Sequence, residues 1–502
     1  MWSNFTIMKS IHFTTESELN TILDASDAAY KVFSRLSVDK RASFLDEIAI
    51  QMTLRKTEII ETASFETNLP LDRIDNEFQR TVYQLRSYAE NCRKGLWLDV
   101  RIDTKDSEGQ TTPNDLRKTY LGLGPVAVFG ASNFPLAYST AGGDTACAFA
   151  AGCTVVVKAH NGHLQTGLLV SEAIERAVDK CGLPKGVYAQ VTGKGNEIGE
   201  QLVTHSKIKA VGFTGSYTGG MALHRLAINR KEPIPVFAEM GSVNPVYLFH
   251  EYLAKHVDLV VDWFAQSITA SMGQFCTNPG ILVGIKSKCL DEFIDKLAGK
   301  INAVKPELML HQGIADAFKS KRDTLLKASG VNLVTNNIEM IDPLQGIPSL
   351  AIVEAHHFIE NKVLREEVFG PSSLIVICSN YKELALVANV MDGQLTTTII
   401  AEEDELSHYS DIVDAITDKC GRLIYNGVPT GVQVSLAQNH GGPFPATTDS
   451  RFTAVGADGI RRFARPITYQ NYPDALLPLE LQNDNPLNIL RTIKNRVTMA
   501  SI

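Results

Sequence analysis

GPVAVFG (124–130), TVVVKA (154–159), GVYAQVTG (186–193) and KAVGFTGS (209–216) are four short apolar runs read as strands. Longer stretches with helical spacing separate them, over Thr140–Ala151, over Thr166–Lys180 and near Ile198–Thr204, and the fourth run again enters a helix. Strand–helix alternation at this spacing predicts a parallel, doubly wound α/β sheet. Such sheets bind ligands at the carboxyl ends of their strands.

A second α/β region extends from about Gly241 to about Gly441. Its strand-like runs are GILVGI (280–285), SSLIVIC (372–378), TTTIIA (396–401) and RLIYNG (422–427), with helical stretches such as Leu253–Ala270 between them. The first hundred residues read as helix. Thr15 and Glu18 have the spacing of a capping box, and Ile74, Phe78, Val82, Leu85 and Tyr88 keep one helical face over four turns. No chemistry is visible there, and the region reads as packing. The tail carries one extended run, RFARPITYQNYP (462–473), and is too short to fold alone. It is expected to dock on this molecule or on a partner subunit.

The 502 residues are 44% hydrophobic and 21% charged, near the averages for globular proteins, and suggest two to four domains. A net charge of −8 without a basic run gives no footprint for a nucleic-acid backbone. The longest nearly apolar stretch, Ala148–Val157, stops at Lys158. That is short of the roughly 18–20 residues a bilayer needs, so no membrane span is expected. The N-terminus MWSNFTIMKSIHF has neither an apolar core nor a small-residue cleavage site, and no secretory signal is expected. Eight cysteines (92, 147, 153, 181, 276, 289, 378, 420) form no CxxC pair, which argues against a disulfide framework or structural zinc and for a reducing cytoplasm. His356–His357, and His250 with His256, lack a set of partners for a metal, and none is expected.

Four segments carry candidate chemistry. In GQFCTNPG (273–280), Cys276 lies in a loop bounded by Gly and Pro, although most cysteines are inert core residues. In FAEMGSVNP (237–245), Glu239 closes an apolar strand-like stretch, either as a structural cap or as a base raised in pKa by desolvation. In FGASNFP (129–135), Asn133 is either a turn former or an oxyanion donor. In GFTGSYTGG (212–220), a strand runs into Gly215 and a helix begins near Gly220. Glycine there lets the backbone approach a pyrophosphate at a helix N-terminus, although the spacing is not G-x-G-x-x-G.

FGASNFP, VVVKAH, GFTGS, FAEMG, GQFCTNPG and EEVFGP follow in this order within residues 129–371. As an ordered set they resemble the aldehyde dehydrogenase superfamily, over about residues 15–475. The resemblance implies a Rossmann-type cofactor domain (1–102 and 122–240), an α/β catalytic domain (241–442) and a small oligomerisation element (103–121 and 443–502). It implies NAD(P)-dependent oxidation of an aldehyde to an acid through a cysteine thiohemiacetal and thioester. Cys276 matches the family's nucleophile, Glu239 its general base and Asn133 its oxyanion donor. Lys158 matches the lysine on the adenosine ribose. Gly215 and Ser216 match the turn under the pyrophosphate, with Gly220 its closing glycine. Glu367 and Phe369 match the pair that positions the nicotinamide ribose and ring, and Pro135 shares the cofactor-lining loop of Asn133. Family members assemble as homodimers or homotetramers, and the 103–121 segment and the tail are expected to contribute.

The chain reads Glu-Met-Gly-Ser-Val-Asn-Pro from Glu239 where many members have Glu-Leu-Gly-Gly-Lys, and NHGGPFPATTDSRFTAVG (439–456) is distinctive. With Phe275 before the nucleophile, these features look like the subgroup acting on 2-oxoglutarate semialdehyde (2,5-dioxovalerate). They are also similar to a bacterial NADP-dependent fatty aldehyde dehydrogenase, which is the alternative. A non-catalytic member serving as a binding protein is the rival from another class, and the intact Cys276, Glu239 and Asn133 argue against it. An acid after the second strand would exclude a 2′-phosphate. Lys158 is instead followed by Ala159, His160, Asn161 and Gly162. Asn161 can hydrogen-bond a phosphate and Lys194 can approach it, so NADP is expected, with NAD as the alternative. For the substrate tail, Arg451 is a candidate on position alone, set against a plain surface arginine. Phe134, Phe275 and Phe444 are candidates to line the pocket.

Overall fold

The computed structural model describes residues 10–105, 113–193, 196–336 and 342–502. Lys194 and part of the 103–121 segment lie outside the described residues. The four runs above form the strands β1 (Val126–Phe129), β2 (Val155–Lys158), β3 (Tyr188–Val191) and β4 (Ala210–Thr214), and β5 (Val236–Glu239) completes the sheet. All pairs are parallel, in the order β3-β2-β1-β4-β5. Alternate residues of each run feed two different cores. Val126, Val128, Val155 and Val157 pack with Phe33, Phe44 and Phe149 on one face, while Ala127, Val156, Val191 and Val211 pack with Leu19, Leu23 and Leu202 on the other. Burial on both faces is why these strands read as continuous apolar runs. The Phe44 and Phe149 rings meet edge-on at 4.9 Å, a contact worth roughly 0.5–1.5 kcal/mol beyond its burial.

The intervening helices fall where the spacing placed them, with local chemistry setting their ends. A turn closed by the Gly142 N–H on the Ser139 carbonyl delays the first helix to Gly143–Ala151. Gly152 ends it at φ 89°, where an added Cβ would lie 2.4 Å from Arg41 Nη1. The helix expected near Gly220 begins earlier, at Tyr217, because the Ser216 hydroxyl accepts the Gly219 N–H at 3.2 Å and caps it.

The first hundred residues hold four helices, Glu16–Phe33, Val38–Leu54, Lys56–Thr67 and Leu71–Lys94, and the Thr15–Glu18 capping box is formed. The second region contains β6 (Val246–Leu248), β7 (Ile281–Ile285), β8 (Ser349–Glu354), β9 (Ser372–Cys378), β10 (Gln394–Ile400) and β11 (Cys420–Tyr425). Together with a short edge strand, Asn332–Leu333, they make a seven-stranded sheet in the order edge-β8-β9-β7-β6-β10-β11. Only the edge pair is antiparallel. In a third sheet, Ala464–Gln470 from the tail pairs along its length with Leu116–Gly122, so the tail docks on its own chain. Arg101–Asp103, Arg491–Ile493 and Arg496–Thr498 complete that sheet. Among the described residues no helix is long and apolar enough to cross a membrane, and all eight cysteines are free thiols.

Candidate active site

Glu239 is the last residue of β5, and Cys276 sits in the loop leading into β7, so the two come from different sheets. They meet at a third residue. His440 Nε2 lies 3.0 Å from Glu239 Oε1 and 3.6 Å from Cys276 Sγ. The three ligating atoms all fall within 4.8 Å of one another. His440 is 1% exposed and Glu239 4%, whereas Cys276 is partly open. Glu239 Oε2 and His440 Nδ1 are buried without a hydrogen-bond partner among the described residues. Burial, followed by the negative charges of Glu239 and Glu367, pushes the Cys276 thiol well above its ordinary pKa, and Arg80 acts the other way. The resting residue is therefore a thiol with a proton acceptor within reach.

The cysteine loop is held by side-chain amides. Asn244 Nδ2 donates to the carbonyls of Cys276 and Asn278, both at 2.9 Å, and Asn278 Nδ2 donates to the Gly370 carbonyl at 3.2 Å. Gly273, at φ 62°, lets the loop press against the Glu367–Phe369 segment, since a Cβ there would lie 2.3 Å from the Gly370 oxygen. Ser271 and Met272 precede it at φ 46° and 53°. Two successive non-glycine residues in the left-handed region are costly, and such strain clusters at functional sites.

Asn133 is 8% exposed, and its Nδ2 donates to the Gln274 carbonyl, two residues before Cys276, at 3.0 Å. The Asn133 carbonyl accepts from Arg73 Nη2 at 3.1 Å. Arg73 pairs with Glu77 at 2.6 Å, and Glu77 Oε1 in turn accepts the N–H groups of Leu136 and Ala137 at 2.8 and 2.9 Å. The expectation that the first hundred residues only pack is thus corrected. The Leu71–Lys94 helix fixes the Asn133 loop, including the buried Pro135. Its charged residues, spaced four apart, look in sequence like an ordinary solvated helix face.

Of the other sequence candidates, Lys158 lines a cleft of about 1220 Å³, whose wall also holds Phe129, His160, Phe213 and Gly219. It opens where the strand order reverses, at the carboxyl ends of β1 and β4. The capped start of the Tyr217–Ile228 helix, at Gly215 and Ser216, faces this end of the sheet. Gly220 packs behind it, with room for no Cβ beside Met240 Sδ at 2.7 Å. Lys158 has no carboxylate within 4.0 Å among the described residues; its Nζ donates to the exposed Asn161 Oδ1 at 3.2 Å, and burial lowers its pKa. Glu367 accepts the Ser242 N–H at 3.5 Å, and burial pushes its carboxyl up to about 7. Phe369 follows in the same half-buried segment. A helix N-terminus, an amine without an acid and a carboxylate beside the Gly241–Ser242 turn suit a dinucleotide lying across the switch point.

A family model described as "Aldehyde dehydrogenase family" matches residues 3–444. The chain belongs to that family. An alpha-ketoglutaric semialdehyde dehydrogenase of Acinetobacter baylyi is 44% identical over 491 residues, covering 96% of this chain and 93% of the relative. Alpha-ketoglutaric semialdehyde dehydrogenase 2 of Azospirillum brasilense is 45% identical over 478 residues, covering 95% and 91%. Among solved structures, a glyceraldehyde-3-phosphate dehydrogenase of Methanocaldococcus jannaschii complexed with NADP superposes with a TM-score of 0.77 at 19% identity, over 93% of this chain and 96% of that one. That likeness bears on the fold alone. Aldehyde dehydrogenases use NAD(P), and the cleft agrees with that requirement.

In this aldehyde dehydrogenase the residue that sequence reasoning missed is His440. It lies inside the distinctive 439–456 stretch, next to two glycines, and nothing local marks it as different from a loop histidine. Arg451 is a surface residue, 79% exposed in its side chain and closed on Asp449 at 2.8 and 2.6 Å. Phe134 and Phe275 stack edge-on at 5.7 Å beside the nucleophile loop. Phe444 faces Tyr217 instead, at 6.2 Å.

Proposed function

We propose that this enzyme oxidises 2-oxoglutarate semialdehyde to 2-oxoglutarate, with NADP as the acceptor and NAD as the weaker alternative. The observation that carries the chemistry is the thiol–imidazole–carboxylate contact of Cys276, His440 and Glu239 beside the Asn133 amide. The substrate is supported by the two semialdehyde dehydrogenases at 44–45% identity. Cys276 Sγ attacks the aldehyde carbon as its proton passes to the buried His440–Glu239 pair. The developing oxyanion is met by the second Asn133 Nδ2–H, the one not given to Gln274, and the Cys276 backbone N–H, each such donor worth about 3–4 kcal/mol in the transition state. NAD(P), which Lys158 and the Gly215–Ser216 turn would hold, would supply the hydride acceptor that thioester formation from the thiohemiacetal requires. Glu239 then takes a proton from the water that attacks the thioester carbon, and the acid leaves as the cysteine recovers its proton. An acid at this position favours hydrolysis over acyl transfer.

For the cofactor, Lys158 and Asn161 would hold the adenosine ribose and its 2′-phosphate, Gly215, Ser216 and Gly220 would shape the pyrophosphate turn, and Glu367, Phe369 and Pro135 would position the nicotinamide end. Eight unpaired thiols suit a cytoplasmic protein. Among the described residues no strand pairs with the outer edge of Arg496–Thr498, which supports a homodimer or homotetramer.

Reduced-nicotinamide absorbance with 2-oxoglutarate semialdehyde and with hexanal, each with NADP and NAD, tests the substrate. A higher kcat/KM for the semialdehyde is expected; a preference for hexanal would replace this reading with the fatty aldehyde one. Asn161→Glu places a carboxylate beside the ribose and should move the kcat/KM ratio toward NAD. An unchanged ratio overturns the 2′-phosphate assignment.

A further inference from the structure

We infer that Arg80 and Arg422 together form the subsite that holds the carboxylate of the substrate, an assignment that rests on the proposed oxidation of a carboxylated aldehyde. Arg80 projects from the Leu71–Lys94 helix and Arg422 from β11, and they grip one short segment from two sides. Arg80 Nη2 donates to the Val432 carbonyl at 3.3 Å. Arg422 Nη1 and Nη2 donate to the carbonyls of Gly431 at 3.1 Å and Pro429 at 2.6 Å. Arg80 Nη2 also donates to the Tyr138 hydroxyl at 3.2 Å, and its guanidinium carbon lies 5.1 Å from the Tyr138 ring. That ring is 6.1 Å from the His440 imidazole, which touches Cys276. Arg80 therefore stands one aromatic ring away from the nucleophile, with Arg422 across the Pro429–Val432 segment from it, and Arg80 and Cys276 are close enough for each to shift the other's ionisation.

Neither guanidinium has a counter-ion. Among the described residues no carboxylate lies within 4.0 Å of Arg80 or Arg422, and Arg80 Nη1 and Arg422 Nε are buried without a hydrogen-bond acceptor. Glu77, one turn before Arg80, is committed to Arg73 and to two backbone N–H groups. Other buried arginines near the site are neutralised, as Arg462 is by Asp144 at 2.7 Å. An arginine cannot shed its proton, so half-burying two of them without a counter-ion costs free energy that an anionic ligand recovers. Backbone carbonyls satisfy part of each fork and hold it in place, leaving net positive charge for a carboxylate. Phe134, Phe275 and Tyr138 supply the apolar wall for the short chain between aldehyde and carboxylate. A fatty aldehyde would strip water from both cations and return nothing.

Arg80→Met and Arg422→Met, alone and combined, keep the stems and remove the charge. Each should lower the kcat/KM ratio of 2-oxoglutarate semialdehyde to hexanal about 10–100-fold, mainly through KM for the semialdehyde. Arg422→Lys keeps a point charge in a less disruptive variant and should recover part of the ratio. Equal losses on both substrates mean a purely structural role and overturn the assignment, as does an unchanged ratio. Calorimetric binding of 2-oxoglutarate to the Cys276→Ala protein separates this inference from the reading beneath it. If wild type prefers hexanal but 2-oxoglutarate binding is still lost in the double methionine variant, the substrate reading fails and the subsite stands. Binding that survives the double variant sinks the subsite.

Discussion

Cys276→Ala should reduce aldehyde oxidation by about 10⁵–10⁶-fold while NADP binding stays at the wild-type level. Among the described residues, Cys276 is the one thiol within reach of both a carboxylate and an imidazole. Cys92, Cys147, Cys153 and Cys378 are buried in the core. Cys289 lies on the Lys288–Asn302 helix, in hydrogen-bond contact with Ser287 and His250 at 3.2 and 3.3 Å. The cofactor cleft is built on the β1–β5 sheet, and the nucleophile loop belongs to the other, so deleting one sulfur leaves the cleft whole. Equilibrium titration of NADP with single-turnover absorbance checks both halves. Turnover within about tenfold of wild type would remove Cys276 as the nucleophile.

Glu239→Gln should lower steady-state turnover about 10²–10⁴-fold yet leave a full burst of reduced cofactor, because deacylation loses its base while acylation proceeds. The same variant makes a second, opposite-signed expectation. Burial is the main cause of the raised Cys276 pKa, and the Glu239 charge is the next. An amide removes that charge, so the pKa falls and the thiolate forms at lower pH. Iodoacetamide labelling of Cys276 should then begin at lower pH than in wild type, even as turnover collapses. A midpoint displaced to higher pH would mean that Glu239 works by keeping a proton on His440 to stabilise the thiolate, and its assignment as the base would fall.

Much of this architecture is legible along the chain, for a physical reason. Val155–Val157 and Val126–Val128 are buried on both faces, so their apolar runs need no partner to be recognised. Val246–Leu248 is too short to declare itself, and Ser349–Glu354 sits between a proline and a helix without an obvious neighbour. The start of the helix at Tyr217 was hidden by Gly219 and Gly220, which read as breakers, although the Ser216 cap decides it. Asn133, Glu239 and Cys276 are recognisable because each sits in a motif. His440 is not: its partner Cys276 lies 164 residues away, and a single imidazole in a loop carries no spacing to read. Arg80 and Arg422 are opaque for the same reason, being a helix residue and a strand residue joined only by the Pro429–Val432 segment.

Glu239 and Cys276 belong to separate sheets, and a set of individual links holds them in register, among them the Met240 N–H on the Ala446 carbonyl at 2.8 Å, the Glu239–Thr447 bridge, the His440 contact and the Asn133 amide on the Gln274 carbonyl at 3.0 Å. Catalysis is thus a coincidence condition on two parts of the chain, each with its own core. Mild heat or denaturant that loosens this seam will silence the enzyme before the secondary structure of either sheet is lost, so activity is a finer gauge of native assembly here than any spectroscopic measure of fold.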